Sequence, residues 1–97
     1  MGTKHYTESE YQRRALALYE DTMRSELAEQ GITSATLRDM VGASFRLSDG
    51  DVDTIVGVGV RYVTYDNVWP CGYVMRRRQT IAHFMRHLHV NNAVRSS

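Results

Sequence analysis

Three consecutive arginines, Arg76, Arg77 and Arg78, carry the plainest chemical meaning in this sequence. Guanidinium groups pair phosphates and carboxylates bidentately, and no acidic residue follows Asp66 to neutralise them. With Arg61 and Arg86 they mark the carboxy-terminal half as the part that would hold an anionic macromolecule, either nucleic acid or an acidic protein face. The distribution of charge agrees. Residues 1–53 carry six basic and ten acidic side chains, and residues 54–97 carry six basic and one acidic. The formal net charge of +1 therefore conceals two halves of opposite sign.

The other reactive side chains point less clearly to chemistry. His83 and His87 are spaced as two ligands on one helical turn would be, but a zinc site needs a third. Helical rotation puts both opposite Ile81, Phe84 and Leu88, so they are expected on the solvent side, where alanine replacements should change stability little. Cys71 would need an adjacent base to act as a nucleophile, and it is expected as a buried thiol on the apolar side of a strand. Asp49, Asp51 and Asp53 lack the glycine and distal glutamate of a calcium loop. Gly57-Val58-Gly59 precedes no helix, so it is a bare stretch of strand rather than a phosphate loop.

No catalytic set, metal or cofactor is expected from these residues. The reading is a small non-catalytic binding protein, regulator or inhibitor that uses Arg61, Arg76, Arg77, Arg78 and Arg86. One alternative is a structural subunit that oligomerises, as a homodimer for example, through the glycine-lined sheet face. Another is a small enzyme using histidine or cysteine.

The elements that must position these residues can be read from spacing. Thr7 and Glu10 form a capping box. The helix that follows, residues 7–30, puts Tyr11, Ala15, Leu18, Tyr19 and Met23 on one broad apolar side, and Gly31 ends it. A second helix, 34–42, turns Leu37, Met40 and Val41 inward. Residues 43–75 form a three-stranded antiparallel meander if Asp49-Gly50 and Asp66-Asn67 are two-residue turns. That register gathers Phe45, Leu47, Val52, Val56, Val58, Val60, Tyr62, Trp69, Cys71, Tyr73 and Met75 on one face, and a one-residue slip would scramble it. Pro70 then belongs to an edge strand. Arg76–Arg78 fall in the connection to a last helix, 79–92, with Ile81, Phe84, Met85 and Leu88 facing the core.

The result is one α+β domain of order α-α-β-β-β-α, with its helices packed on one face of the sheet. From residue 34 onward, this order together with the basic entry to the last helix resembles double-stranded RNA-binding domains. That resemblance implies phosphate contacts at Arg76–Arg78. The helix pair around Gly31 also fits the outline of a helix-turn-helix, but the segment Ser34–Asp39 offers only one basic side chain to a phosphate backbone.

Length and composition bound the rest. Ninety-seven residues, 42% hydrophobic and 24% charged, suffice for one core. The longest run without Asp, Glu, Lys or Arg is the nine residues from Asn67 to Met75, too short to span a bilayer. The first ten residues show no apolar leader region. A single cysteine is consistent with a reducing, cytoplasmic setting.

Overall fold

The computed structural model describes residues 7–96. Residues 1–6, which carry part of the leader reading, and Ser97 lie outside the described residues. Helix α1 spans Glu8–Glu29. Its capping box forms as the sequence requires: the Glu10 amide donates to Thr7 Oγ1 and the Thr7 amide to Glu10 Oε2. Gly31, at φ +76°, turns the chain out of the helix.

The helix expected over 34–42 is a single 3-10 turn, Thr36–Met40. Local hydroxyls explain why. Thr36 Oγ1 accepts from the Thr33 amide at 2.8 Å and donates to the Gly31 carbonyl at 2.7 Å. Such side-chain bonds compete with helix nucleation in so short a segment. Leu37 and Met40 still point into the core.

Among the described residues the sheet has five strands rather than three: β1 Ser44–Arg46, β2 Val52–Val58, β3 Tyr62–Val68, β4 Val74–Thr80 and β5 Val94–Arg95. All pairings are antiparallel, in the order β4-β3-β2-β1-β5. Helix α2, Ile81–Val90, follows β4 directly and is capped by Thr80. The α+β class and the order helix, strands, helix stand as read from sequence. The likeness to double-stranded RNA-binding domains does not: a fourth strand precedes the last helix, a fifth follows it, and the helix expected over 34–42 directly before the sheet is only a 3-10 turn. Among the described residues, no helix is long and apolar enough to cross a membrane.

Both turns expected from sequence need correction. The first loop has three residues, Ser48-Asp49-Gly50. The Gly50 amide donates to the Leu47 carbonyl and the Leu47 amide to the Asp51 carbonyl, with Gly50 at φ +93°. The extra residue shifts the register by one, so Phe45 faces Asp53 and Arg46 faces Val52. The side chain of Asp53 therefore turns inward and that of Val52 outward.

Asp66-Asn67 is no turn at all and lies within β3, one residue from its end. The chain reverses instead at Val60-Arg61, closed by the Gly59 amide on the Tyr62 carbonyl, and at Pro70-Cys71-Gly72, which repeats the geometry of the first loop. Pro70 belongs to this loop and not to an edge strand. Cys71, expected in the core, is exposed there. Val56, Val60, Tyr62, Trp69 and Tyr73 are likewise exposed rather than core residues.

The core lies between one sheet face and the two helices. Phe45, Ile55, Val63 and Tyr65 meet Leu27, Ile32, Leu37, Phe84 and Leu88, all almost fully buried. Tyr65 packs its ring 4.8 Å from that of Phe84, and its buried hydroxyl has no hydrogen-bond partner among the described residues. Burial, and then the charge of Asp53, push its pKa above the ordinary 10.

Tyr65 thus binds its proton more tightly when folded. Its contribution to stability is full below pH 10 and is lost as pH rises through the folded value. Tyr65→Phe removes an unsatisfied polar group. It should leave neutral-pH stability unchanged or raise it by about 1 kcal/mol, while flattening the alkaline fall in stability. Urea unfolding at neutral and alkaline pH reads both effects, and a clear loss of stability at neutral pH would show that the hydroxyl is satisfied.

Candidate functional site

Side-chain alternation along β4 divides the arginine run. Arg76 pairs with Asp66 and Arg78 with Thr64, on the sheet face away from the helices. Arg77 pairs with Tyr65 and shares the helix-side face. The connection that was expected to carry all three does not exist, because β4 runs to Thr80 and α2 begins at Ile81.

Arg61 sits exposed in the β2–β3 turn, where its carbonyl accepts the Ile81 amide. Arg86 lies on α2 and donates to Glu20 of α1 at 3.2 Å. The five arginines therefore occupy three places: Arg76 and Arg78 on the open sheet face, Arg61 at its end, and Arg77 and Arg86 on the helix side.

The open face is built of rows that cross the strands. One row is Val74, Val68, Val52 and Arg46; the next is Arg76, Asp66, Thr54 and Ser44; Arg78 and Thr64 follow, then Thr80 and Tyr62. A bulge at Val56 keeps Gly57 beside Thr64. Among the described residues this face carries three arginines, Arg46, Arg76 and Arg78, and one carboxylate, Asp66, which pairs with Arg76. The Arg76 guanidinium donates to both Asp66 oxygens, at 2.9 and 3.2 Å, and those hydrogen bonds hold the carboxyl below its usual pKa. The Arg78 guanidinium lies 4.5 Å over the ring of Tyr62. Ser44 and Thr54 join their hydroxyls at 2.7 Å. Chemically this is a basic face with one stacked aromatic and a line of hydroxyl groups.

No protein-family model, curated protein or solved structure matches the chain.

A second constellation lies on the helix side, and sequence reasoning missed it. Asp53 is fully buried. His87 Nε2 stands 2.6 Å from one of its carboxylate oxygens, and Asn67 Nδ2 donates to the other at 2.8 Å. Asn67 Nδ2 also reaches Asp51, and Asn67 Oδ1 accepts the Trp69 indole N–H at 2.8 Å. Asn91 Nδ2 donates to the His87 carbonyl at 2.8 Å and lies 3.3 Å from His87 Nδ1. An amide donor at Nδ1 and a carboxylate at Nε2 assign the ring proton to Nε2.

His87 is thus not the solvent-facing residue expected from the helical wheel. It is the partner that makes burial of Asp53 tolerable. His83 does stay exposed. With His87 engaged in this way, the pair presents no two-ligand metal face. Among the described residues, no three of His, Cys, Asp and Glu are grouped to hold a metal.

The signal that could have found this network was the string of polar residues Asp51, Asp53, Asn67 and Trp69 at period two. Spacing of that kind puts each pair on one side of its strand. Read with Asp66-Asn67 as a turn, it was invisible.

Proposed function

We propose that this protein is a non-catalytic binding module that holds single-stranded nucleic acid on the open face of its sheet. The observation that carries the reading is the Arg78 guanidinium stacked over Tyr62, next to Arg76 on a face that also carries Arg46 and one carboxylate, Asp66. An aromatic or guanidinium plane offers any base a stacking surface, and neighbouring arginines neutralise phosphates. Thr54, Thr64 and Thr80 supply hydroxyl groups for sugar and phosphate oxygens. The three arginines of β4 also guard the sheet's long edge, since charged edge residues oppose strand-to-strand association. That weighs against a subunit built by edge pairing.

Fluorescence anisotropy with labelled oligothymidine and oligouridine at two salt concentrations tests the proposal. Binding should weaken as salt rises. Arg78→Ala and Tyr62→Ala should each lower affinity about tenfold. Arg77→Ala, on the opposite face, should change it little. The reading fails if neither oligonucleotide binds at low salt, or if Arg77→Ala matches Arg78→Ala. Salt-sensitive binding to an acidic protein in place of the oligonucleotides would transfer the same face to the acidic-protein class.

A further inference from the structure

Helix α1 buries only Met23 and Leu27, both in its carboxy-terminal half. Arg86 reaches Glu20, and His89 lies within 2.6 Å of Glu26 and near Tyr19. These contacts fasten α1 to α2 from about residue 19 onward. The eleven residues from Glu8 to Leu18 extend past the body of the domain, a length of about 16 Å at the helical rise. The molecule measures 60 Å along its longest axis against 27 and 22 Å across. Its radius of gyration is 16.2 Å, where a compact chain of this length has about 12.5 Å.

This projecting half is not uniformly polar. The core-facing direction of α1 is set by Met23 and Leu27, with Leu16 aligned on it. Tyr11, Ala15 and Leu18 form a separate stripe, rotated by roughly a third of a turn from that direction. Their spacing of four and then three is that of a coiled-coil seam. Leu18 is 69% exposed and Tyr11 57%. A helical segment of this length gains little stability from water-exposed turns alone, and an exposed leucine at a seam position is a cost unless something covers it.

We propose that the amino-terminal half of α1 pairs antiparallel with the same segment of a second copy. In that arrangement Ala15 of one chain packs against Leu18 of the other, and Tyr11 lies against Thr22 of the other. The flanking positions are Arg14 and Asp21. Antiparallel pairing sets Arg14 of each copy beside Asp21 of the other, giving two interchain ion pairs from one symmetric contact. Arg14 already has a partner within its own chain, and Asp21 lies 3.8 Å from Arg24, so these contacts would extend into a network.

A parallel pairing would place Arg14 beside Tyr19 instead and leave the charges uncompensated. The seam is only two heptads long, well below the roughly 800 Å² per partner typical of stable interfaces. The dimer is therefore weak and reversible.

Sedimentation equilibrium of the full chain from micromolar to millimolar concentration tests this. The parent should pass from monomer to dimer within that range. Leu18→Glu should remain monomeric while keeping its helical circular dichroism and melting temperature, because Leu18 contributes nothing to the core. Arg14→Glu should weaken the dimer by about tenfold, and adding Asp21→Arg should restore it. A parent that stays monomeric throughout, or a Leu18→Glu variant that still dimerises, overturns the pairing. If the double reversal does not restore what Arg14→Glu loses, the antiparallel register is overturned.

Discussion

His87→Ala should cost this protein about 3 kcal/mol of stability, a loss out of proportion to a partly exposed histidine near the end of a ten-residue helix. The reason is what remains behind. Asp53 is 0% exposed, and with His87 gone one carboxylate oxygen keeps Asn67 while the other faces the core with no donor. Removing the donor to a buried carboxylate costs far more than the hydrogen bond itself contributes, because the carboxylate is left desolvated without its partner. Chemical denaturation of parent and variant measures the effect.

Two controls isolate the cause. His83→Ala, on the exposed side of the same helix, should lie within about 0.5 kcal/mol of the parent. Placing Asp53→Asn in the His87→Ala background should recover part of the loss, because an unpaired amide is cheaper to bury than an unpaired carboxylate. Equal stability of His87→Ala and the parent would mean that Asp53 has another donor.

Asn67→Leu should cost a similar amount, about 3 kcal/mol, and should report itself optically. Asn67 is 5% exposed and binds in two directions, donating to Asp53 at 2.8 Å and accepting the Trp69 indole N–H at 2.8 Å. Leucine keeps the branch at Cγ but carries no polar atom, so both bonds go and its extra bulk adds to the cost. The charged group loses a buried donor and the indole loses its acceptor. Trp69 is the only tryptophan in the chain, so its fluorescence follows this site alone. The emission should move to longer wavelength as the ring, 41% exposed and 5.0 Å from Tyr73, is released toward water. An unchanged spectrum together with unchanged stability would sink the proposed linkage between Trp69 and the buried carboxylate.

These two side chains also mark where sequence reasoning stopped. Signals confined to a few neighbouring residues were legible: the Thr7–Glu10 box, the stop at Gly31, the Phe84–Leu88 stripe and the α+β class. Asp66-Asn67 has the composition of a tight turn, but its residues are held extended by partners remote in the chain. Arg76 binds Asp66 from the next strand, and Asp53 binds Asn67 from the strand before. Nothing local encodes either bond, so local propensity misled. The glycine turn at Gly50 was found in the right place with one residue too few in its loop. In a sheet of period two, that error sent Asp53 outward and hid the network. The arginine run was legible as charge but not as geometry, because its division between two faces depends on Arg76–Arg78 lying in a strand.

The placement of β5 has a consequence for the order in which the fold assembles. Strands β2, β3 and β4 are neighbours in sequence and in space, so their ladders close through short loops. Strand β1 is only three residues long, yet it holds Phe45 at the centre of the core. On its far side it is paired with Arg95 and Val94, about fifty residues away along the chain. That closure carries a large entropic cost until α2 is already docked, since α2 delivers β5 to the sheet. The meander is therefore the natural nucleus, and the β1–β5 corner is the last part of the sheet to lock and the first to open. Phe45, although completely buried, thus sits on a strand whose outer ladder pairs at only two positions.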